Sequence, residues 1–267
     1  MKGELEKVEL KFTMSVTTPL FWAIRQADGA YIAKNGSAFL LNTGNCVFGV
    51  TAYHVVEKWR HDRSRHDEVH CFLGGHGCAC RFKEDWLNDY DRAIDIATFE
   101  ITPERIALIK GDVLTGSQRS WPPAAPNREE RIYYCGFPGS GRVWPGPPSE
   151  IRFGAVVSSG AASSVSELDI STQIDLESLH PILGQGVPPD DFDYGGMSGG
   201  VMLTVVETPL HSLTLAGVIH EGPNPSRDPE QAIAGLNIIK ARRAHFILPD
   251  GRLDRARWHA TNPPPAG

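Results

Sequence analysis

Apolar residues fall along the chain in short runs and alternations rather than at helical spacing. Segments 30–33, 36–42, 46–51, 68–73, 78–82, 94–100, 131–135, 151–157, 200–206, 213–220 and 233–239 are punctuated by Gly, Asn or Asp, the pattern of half-buried or core strands. Their spacing predicts an all-β barrel or sandwich. Two segments read as helix: His54 to Arg60, which follows a strand, and Ile239 to Leu248, a terminal helix.

The stretch TGSQRSWPPAAPNREE at 115–130 joins Gly, Pro and polar residues between two strand-rich halves, the composition of a linker. The expected division is an N-terminal extension (1–29), a first β-barrel (30–118), a linker (119–130), a second β-barrel with its C-terminal helix (131–250) and a tail (251–267), whose NPPPAG end reads as disordered. A second irregular stretch, 180–194, leads through Asp190, Asp191 and Asp193 into GGMSGG.

Composition adds exclusions. The 267 residues carry a net charge of −6, which repels phosphate backbones, so no nucleic-acid partner is expected. Lys240, Arg242 and Arg243 form a small basic cluster, read as a solvated face of the terminal helix. MKGELEKVELKFTMSV interrupts any export signal with charge, and no apolar run is long enough to span a bilayer; the expectation is a soluble, cytoplasmic protein without membrane association.

Five cysteines, an odd number without regular spacing, read as reduced thiols. His70, Cys71, His76, Cys78 and Cys80 raise the question of zinc. Against that, Val69, Cys71 and Leu73 alternate, GGHG reads as a turn, and Cys78, Cys80 and Phe82 alternate on the return: a hairpin. A cysteine-rich metal-binding protein is the less favoured alternative.

Three local contexts point to acyl-transfer chemistry. GGMSGG at 195–200 sets Ser198 among four glycines, whose torsional freedom lets backbone N–H groups converge. VFGVTAYHVVEKW carries an apolar strand into a helix with His54 at the junction. DRAIDIATFEI puts Asp95 at the head of an apolar strand, where a carboxylate needs hydrogen-bond donors and an imidazole N–H is one. Asp89 and Asp91 are rivals whose neighbours Asn88, Tyr90 and Arg92 read as exposed loop.

GSAFLL at 36–41, TAYHVV at 51–56, DIA at 95–97 and GMSGG at 196–200 stand in one order, and through them the chain resembles the trypsin-like serine peptidases over residues 30–240, with GFP at 136–138 and GVIHEG at 217–222 resembling second-barrel strands. The resemblance implies two six-stranded antiparallel barrels with a C-terminal helix, Ser198 as nucleophile, His54 as base and then acid, and Asp95 fixing the histidine tautomer. It implies the N–H groups of Gly196 and Ser198 as the oxyanion hole, and His220, Glu221 and Gly222 as the edge that pairs with an extended polypeptide substrate. No cofactor or metal is required.

Departures from the family narrow this. Met197 and Val55 replace residues of secreted, zymogen-activated members, so the likeness is to non-zymogen bacterial and viral branches. Phe192 stands at the position that guards the trypsin pocket, and an acidic pocket is not expected. Asp191 and Asp193 flank it, and His220 falls one residue beyond the histidine of glutamate-selective relatives; a packed strand histidine is the equal reading. The functional alternative is a latent peptide-binding or scaffolding module on the same fold, and a regulatory protein partner is one route to restraint.

Overall fold

Nine residues before the first expected strand, TTPLFWAIR, are buried all but the last, and they build the centre of the first sheet. In this computed structural model residues 2–75, 77–115, 121–143, 151–174, 192–207, 211–223 and 237–263 are described. Helix α1 (Lys2–Ser15) precedes β1 (Thr17–Arg25), and β2 (Tyr31–Asn42), β3 (Val47–Thr51), α2 (Tyr53–Arg65), β4 (Val69–Gly75), β5 (Cys78–Arg81), β6 (Leu87–Asp91), β7 (Ile96–Glu100), α3 (Pro103–Ile109) and β8 (Val113–Thr115) complete the first half. The strands form one sheet ordered β5-β4-β1-β2-β3-β7-β6, with β8 parallel to β2.

The second half contributes β9 (Arg131–Gly136), the small ribbon β10 (Arg142–Val143) and β11 (Arg152–Phe153), β12 (Val156–Val165), β13 (Asp169–Gln173), β14 (Val201–Val206), β15 (Ser212–Glu221), β16 (Ile238–Arg243) and α4 (Arg255–Thr261). Six of these close a barrel, β12-β13-β16-β15-β14-β9. The chain is thus mostly β, with one closed six-stranded barrel and a short C-terminal helix.

The three largest of four buried apolar clusters among the described residues do most to hold this together. One lies inside the barrel around Tyr134, Ile219 and Ile239; a second lies under α2 around Trp22, Val55 and Trp59. The third joins the halves, packing Phe39, Phe48 and Ile96 of the first sheet against Tyr133, Val201 and Val218 of the barrel and Trp258 of α4. Fully burying a side chain of this size stabilises by roughly 1.5–3 kcal/mol, so the shared cluster sets how the halves meet. Trp22 is buried with its indole Nε1 donating to Asp62 at 2.7 Å, which removes the cost of an unmet donor.

Several sequence expectations need correction. Residues 17–25 are strand, not extension; a strand buried on both faces shows no alternation. The segment 239–248 is strand β16 and a single 3₁₀ turn at Ala244–Phe246, not a helix, because pairing with β13 and β15 overrides its local pattern. The terminal helix lies further on, in the expected tail, capped by Asp254, which accepts from the Arg257 N–H, and anchored by buried Trp258. Residues 87–91 and 169–173 are also strands. Of the basic cluster, Arg242 is buried rather than solvated. The hairpin at 69–82 forms, pairing Gly75 with Cys78; His76 lies outside the described residues, as do most of 180–194 and all of 264–267.

Candidate active site

The turn from β3 into α2 sets the first group. Val55, Val56 and Trp59 bury one face of the helix, which leaves His54 on the other, its side chain 25% exposed. Asp95 ends the turn between β6 and β7 in a left-handed conformation, φ +59. From there its carboxylate meets His54 twice: Oδ1 accepts the backbone N–H at 2.9 Å and Oδ2 lies 2.8 Å from Nδ1. An ionised carboxylate only accepts, so Nδ1 carries the proton and Nε2 presents its lone pair away from Asp95.

Ser198 comes from the opposite half, on the loop into β14. The Gly195 carbonyl accepts from the Gly139 N–H at 2.6 Å, and in a planar trans peptide this aims the following N–H, that of Gly196, the other way. Likewise the Met197 carbonyl accepts from Gly200 at 2.9 Å, which turns the Ser198 N–H outward. Neither the Gly196 nor the Ser198 N–H has a hydrogen-bond partner among the described residues. Two neighbouring free donors beside a hydroxyl are what a developing oxyanion needs.

Glycine is required at two points of this loop. Gly196 has φ +107, and a Cβ there would stand 2.7 Å from the Phe137 carbonyl oxygen; Gly199 has φ +90, and a Cβ would stand 2.0 Å from the Ser37 carbonyl oxygen and 2.3 Å from Thr51 Oγ1. The second set of contacts places the residue after Ser198 against the β3–α2 junction at Thr51, three residues from His54. Ser198 Oγ makes no hydrogen bond to a described residue, His54 included; such contacts are often long in a ligand-free site and tighten with substrate bound.

Ser37, which sequence reasoning passed over inside GSAFLL, ties the two halves at this point. Fully buried, it donates through Oγ to the Gly196 carbonyl at 2.8 Å and accepts from the Phe137 N–H at 2.8 Å, while its own N–H donates to the Ser198 carbonyl at 2.8 Å. A serine followed by apolar residues at the middle of a strand was the available signal.

The expected substrate residues are arranged unevenly. On one side β15 pairs with β16, Glu221 opposite Lys240; on the other, β14 begins at Val201 opposite Val218 and β15 runs past it. Beyond Ile219, whose carbonyl accepts from Gly199, residues 220–222 therefore have an unpaired strand edge among the described residues. The His220 ring is committed to Asp169, with Nε2 at 3.0 Å from Oδ1. Burial opposes ionisation of Asp169, but the His220 bond and the Arg242 charge outweigh it and hold the carboxyl below its usual range. Glu221 pairs with Lys240 at 2.8 Å. Phe192 packs edge-to-face on Tyr194, centroids 5.0 Å apart, and Asp193 caps the following turn, accepting from Gly195 N–H at 2.7 Å. Asp191 lies outside the described residues.

Asp89 and Asp91, expected in exposed loop, are clamped. Arg255 of α4 makes a two-pronged contact with Asp89, at 2.9 and 2.7 Å, and reaches Asp91 at 3.0 Å. Burial works against the charge on Asp89, and the Arg255 contacts together with the Leu253 N–H prevail, keeping its carboxyl low. Among the described residues no group of three or more His, Cys, Asp or Glu is placed to hold a metal ion; Cys71 and Cys80 are buried free thiols, and burial pushes both up. No described helix is long and apolar enough to cross a membrane.

No family model matches the chain, and no curated protein matches its sequence. Among the solved structures that align with it are two connected with Sesbania mosaic virus. The serine protease domain of the Sesbania mosaic virus polyprotein is 11% identical, with a TM-score of 0.43 over 87% of this chain and 96% of that one. A second is 12% identical, with a TM-score of 0.44 over 88% and 96%. It comes from work in which aromatic interactions drive the coupled folding and binding of the intrinsically disordered Sesbania mosaic virus VPg protein. Likeness at this level assigns no residue a role.

Proposed function

We propose that the chain is a serine endopeptidase acting through Ser198, His54 and Asp95, with the eight-stranded sheet as the counterpart of the first barrel of a two-barrel fold. The observation that carries this reading is the double contact of the Asp95 carboxylate with the ring and backbone of His54, made beside a loop in which the N–H groups of Gly196 and Ser198 have no partner among the described residues.

On this reading His54 Nε2 takes the proton from Ser198 Oγ as the oxygen attacks the substrate carbonyl. The negative charge that forms on the carbonyl oxygen is met by the N–H groups of Gly196 and Ser198, each such donor being worth about 3–4 kcal/mol in the transition state. His54 then protonates the departing amine, leaving an acyl group on Ser198; a water, deprotonated by His54, releases it. The acyl side of an extended polypeptide lies along residues 220–222, adding main-chain hydrogen bonds as a further strand, and Phe192 borders the pocket of the residue before the scissile bond. The free thiols fit a reducing, cytoplasmic setting. No cofactor enters the reaction.

A second reading, a peptide-binding module of low turnover that awaits a partner, draws on the missing hydrogen bond between Ser198 and His54. A peptide library offered to wild type and to Ser198→Ala separates the two. Cleavage by wild type only supports the peptidase; equal peptide binding by both proteins without cleavage supports the module.

A further inference from the structure

Asp95 is held from two sides by groups that lie far from it in the chain. The turn that presents it runs from Asp91 to Asp95. Asp91 Oδ1 accepts from the N–H groups of Ala93 and Ile94 at 2.8 and 3.1 Å, and its carbonyl accepts from Asp95 at 3.0 Å. The other oxygen of that carboxylate, Oδ2, is gripped by Arg255 Nε at 3.0 Å, and Arg255 Nη2 also donates to the Tyr90 carbonyl at 2.8 Å. On the opposite side Arg242 Nε donates to the Ile94 carbonyl, one residue before Asp95, at 2.8 Å.

Arg242 is a costly residue to place there. It is 8% exposed, and its guanidinium is kept charged by Asp169 at 2.9 Å and by the face of Trp258, 4.8 Å away. Trp258 and Arg255 both belong to α4. The turn they secure ends in a left-handed aspartate, a conformation that costs a non-glycine residue about 1 kcal/mol and persists only where its surroundings over-determine it.

We propose that Arg242 and Arg255 are positioning residues that hold the Asp91–Asp95 turn, and through it Asp95, in register with His54, making β16 and α4 part of the catalytic apparatus. The proposal rests on the reading of His54 and Asp95 as a catalytic pair. Neither arginine touches substrate. Freed of them, the turn relaxes from φ +59 and the carboxylate leaves the imidazole.

The test uses the full chain and the variants Arg255→Gln, Arg255→Lys and Arg242→Lys, with Arg252→Gln as a surface control. The readouts are the downfield proton resonance of the His54 Nδ1–H, the melting temperature, and kcat and KM on a cleaved peptide. The expected result is a lost or shifted resonance in Arg255→Gln and Arg242→Lys proteins that are still folded, with kcat down roughly 10- to 100-fold and KM within about twofold. Arg255→Lys should recover part of the loss, and Arg252→Gln should match wild type. An unmoved resonance and unchanged kcat in folded Arg255→Gln and Arg242→Lys would overturn the proposal. If wild type shows the resonance but cleaves nothing, the peptidase reading fails alone, and the resonance in the variants still decides. If wild type lacks the resonance, the positioning proposal falls.

Discussion

Ser37 Oγ donates to the Gly196 carbonyl at 2.8 Å, so a side chain of the first sheet holds the loop that carries Ser198. The same hydroxyl accepts from Phe137. One buried group thus fixes the Gly196 loop relative to His54, which follows the neighbouring strand β3, where Thr51 Oγ1 donates to the Ser37 carbonyl at 2.7 Å.

Ser37→Ala leaves the Gly196 carbonyl and the Phe137 N–H buried without that partner, which costs about 1–3 kcal/mol. It also loosens the oxyanion loop. The expectation is a lowered denaturation midpoint together with a roughly tenfold or greater fall in kcat at nearly constant KM. Urea titration and steady-state kinetics on one preparation check both.

Asp95→Asn keeps the size of the side chain but makes it a donor as well as an acceptor. With its oxygen accepting the His54 backbone N–H, its amide nitrogen faces Nδ1 and donates to it; the ring takes the other tautomer, and Nε2 loses its lone pair. A fall in kcat of roughly 10³–10⁴-fold with the fold intact is expected, read from kinetics and circular dichroism.

The residues proposed to be catalytic stood out in the sequence because each sits at a strand end, where Gly, His or Asp interrupts an apolar run. His54 and Asp95 do meet, and Ser198 does lie on a glycine loop against the β3–α2 junction. What stayed hidden is what tertiary contact decides. β1 has no period to read because both faces are buried. The 239–248 segment alternates weakly enough to pass for helix until β13 and β15 pair with it. Asp89 and Asp91 looked exposed because their partner, Arg255, is more than 160 residues away, in a segment whose proline-rich end made it look like a tail.

Two histidines give opposite pH dependences. Burial, with the charges of Arg243 and Arg257, lowers His245 to about 4 from 6.5. The unfolded chain then binds more protons between those values, so stability rises with pH across the window, by up to roughly 3 kcal/mol. His211 is raised by its hydrogen bonds to Glu9, 2.6 Å away, and Glu207. Its contribution is fully present below about 6.5 and is lost as pH rises through the folded value. Denaturation midpoints measured from about pH 4 to 8 should flatten on the acid side in His245→Phe and on the neutral side in Glu9→Gln.

The central claim is that Ser198 is an activated nucleophile, and a fluorophosphonate probe tests it directly, because the probe captures a serine that a base and an oxyanion hole have made reactive. The account predicts covalent labelling of wild type, none of Ser198→Ala, and strongly slowed labelling of His54→Ala. Labelling that persists in Ser198→Ala, or a folded wild-type protein that takes no label at all, would contradict it.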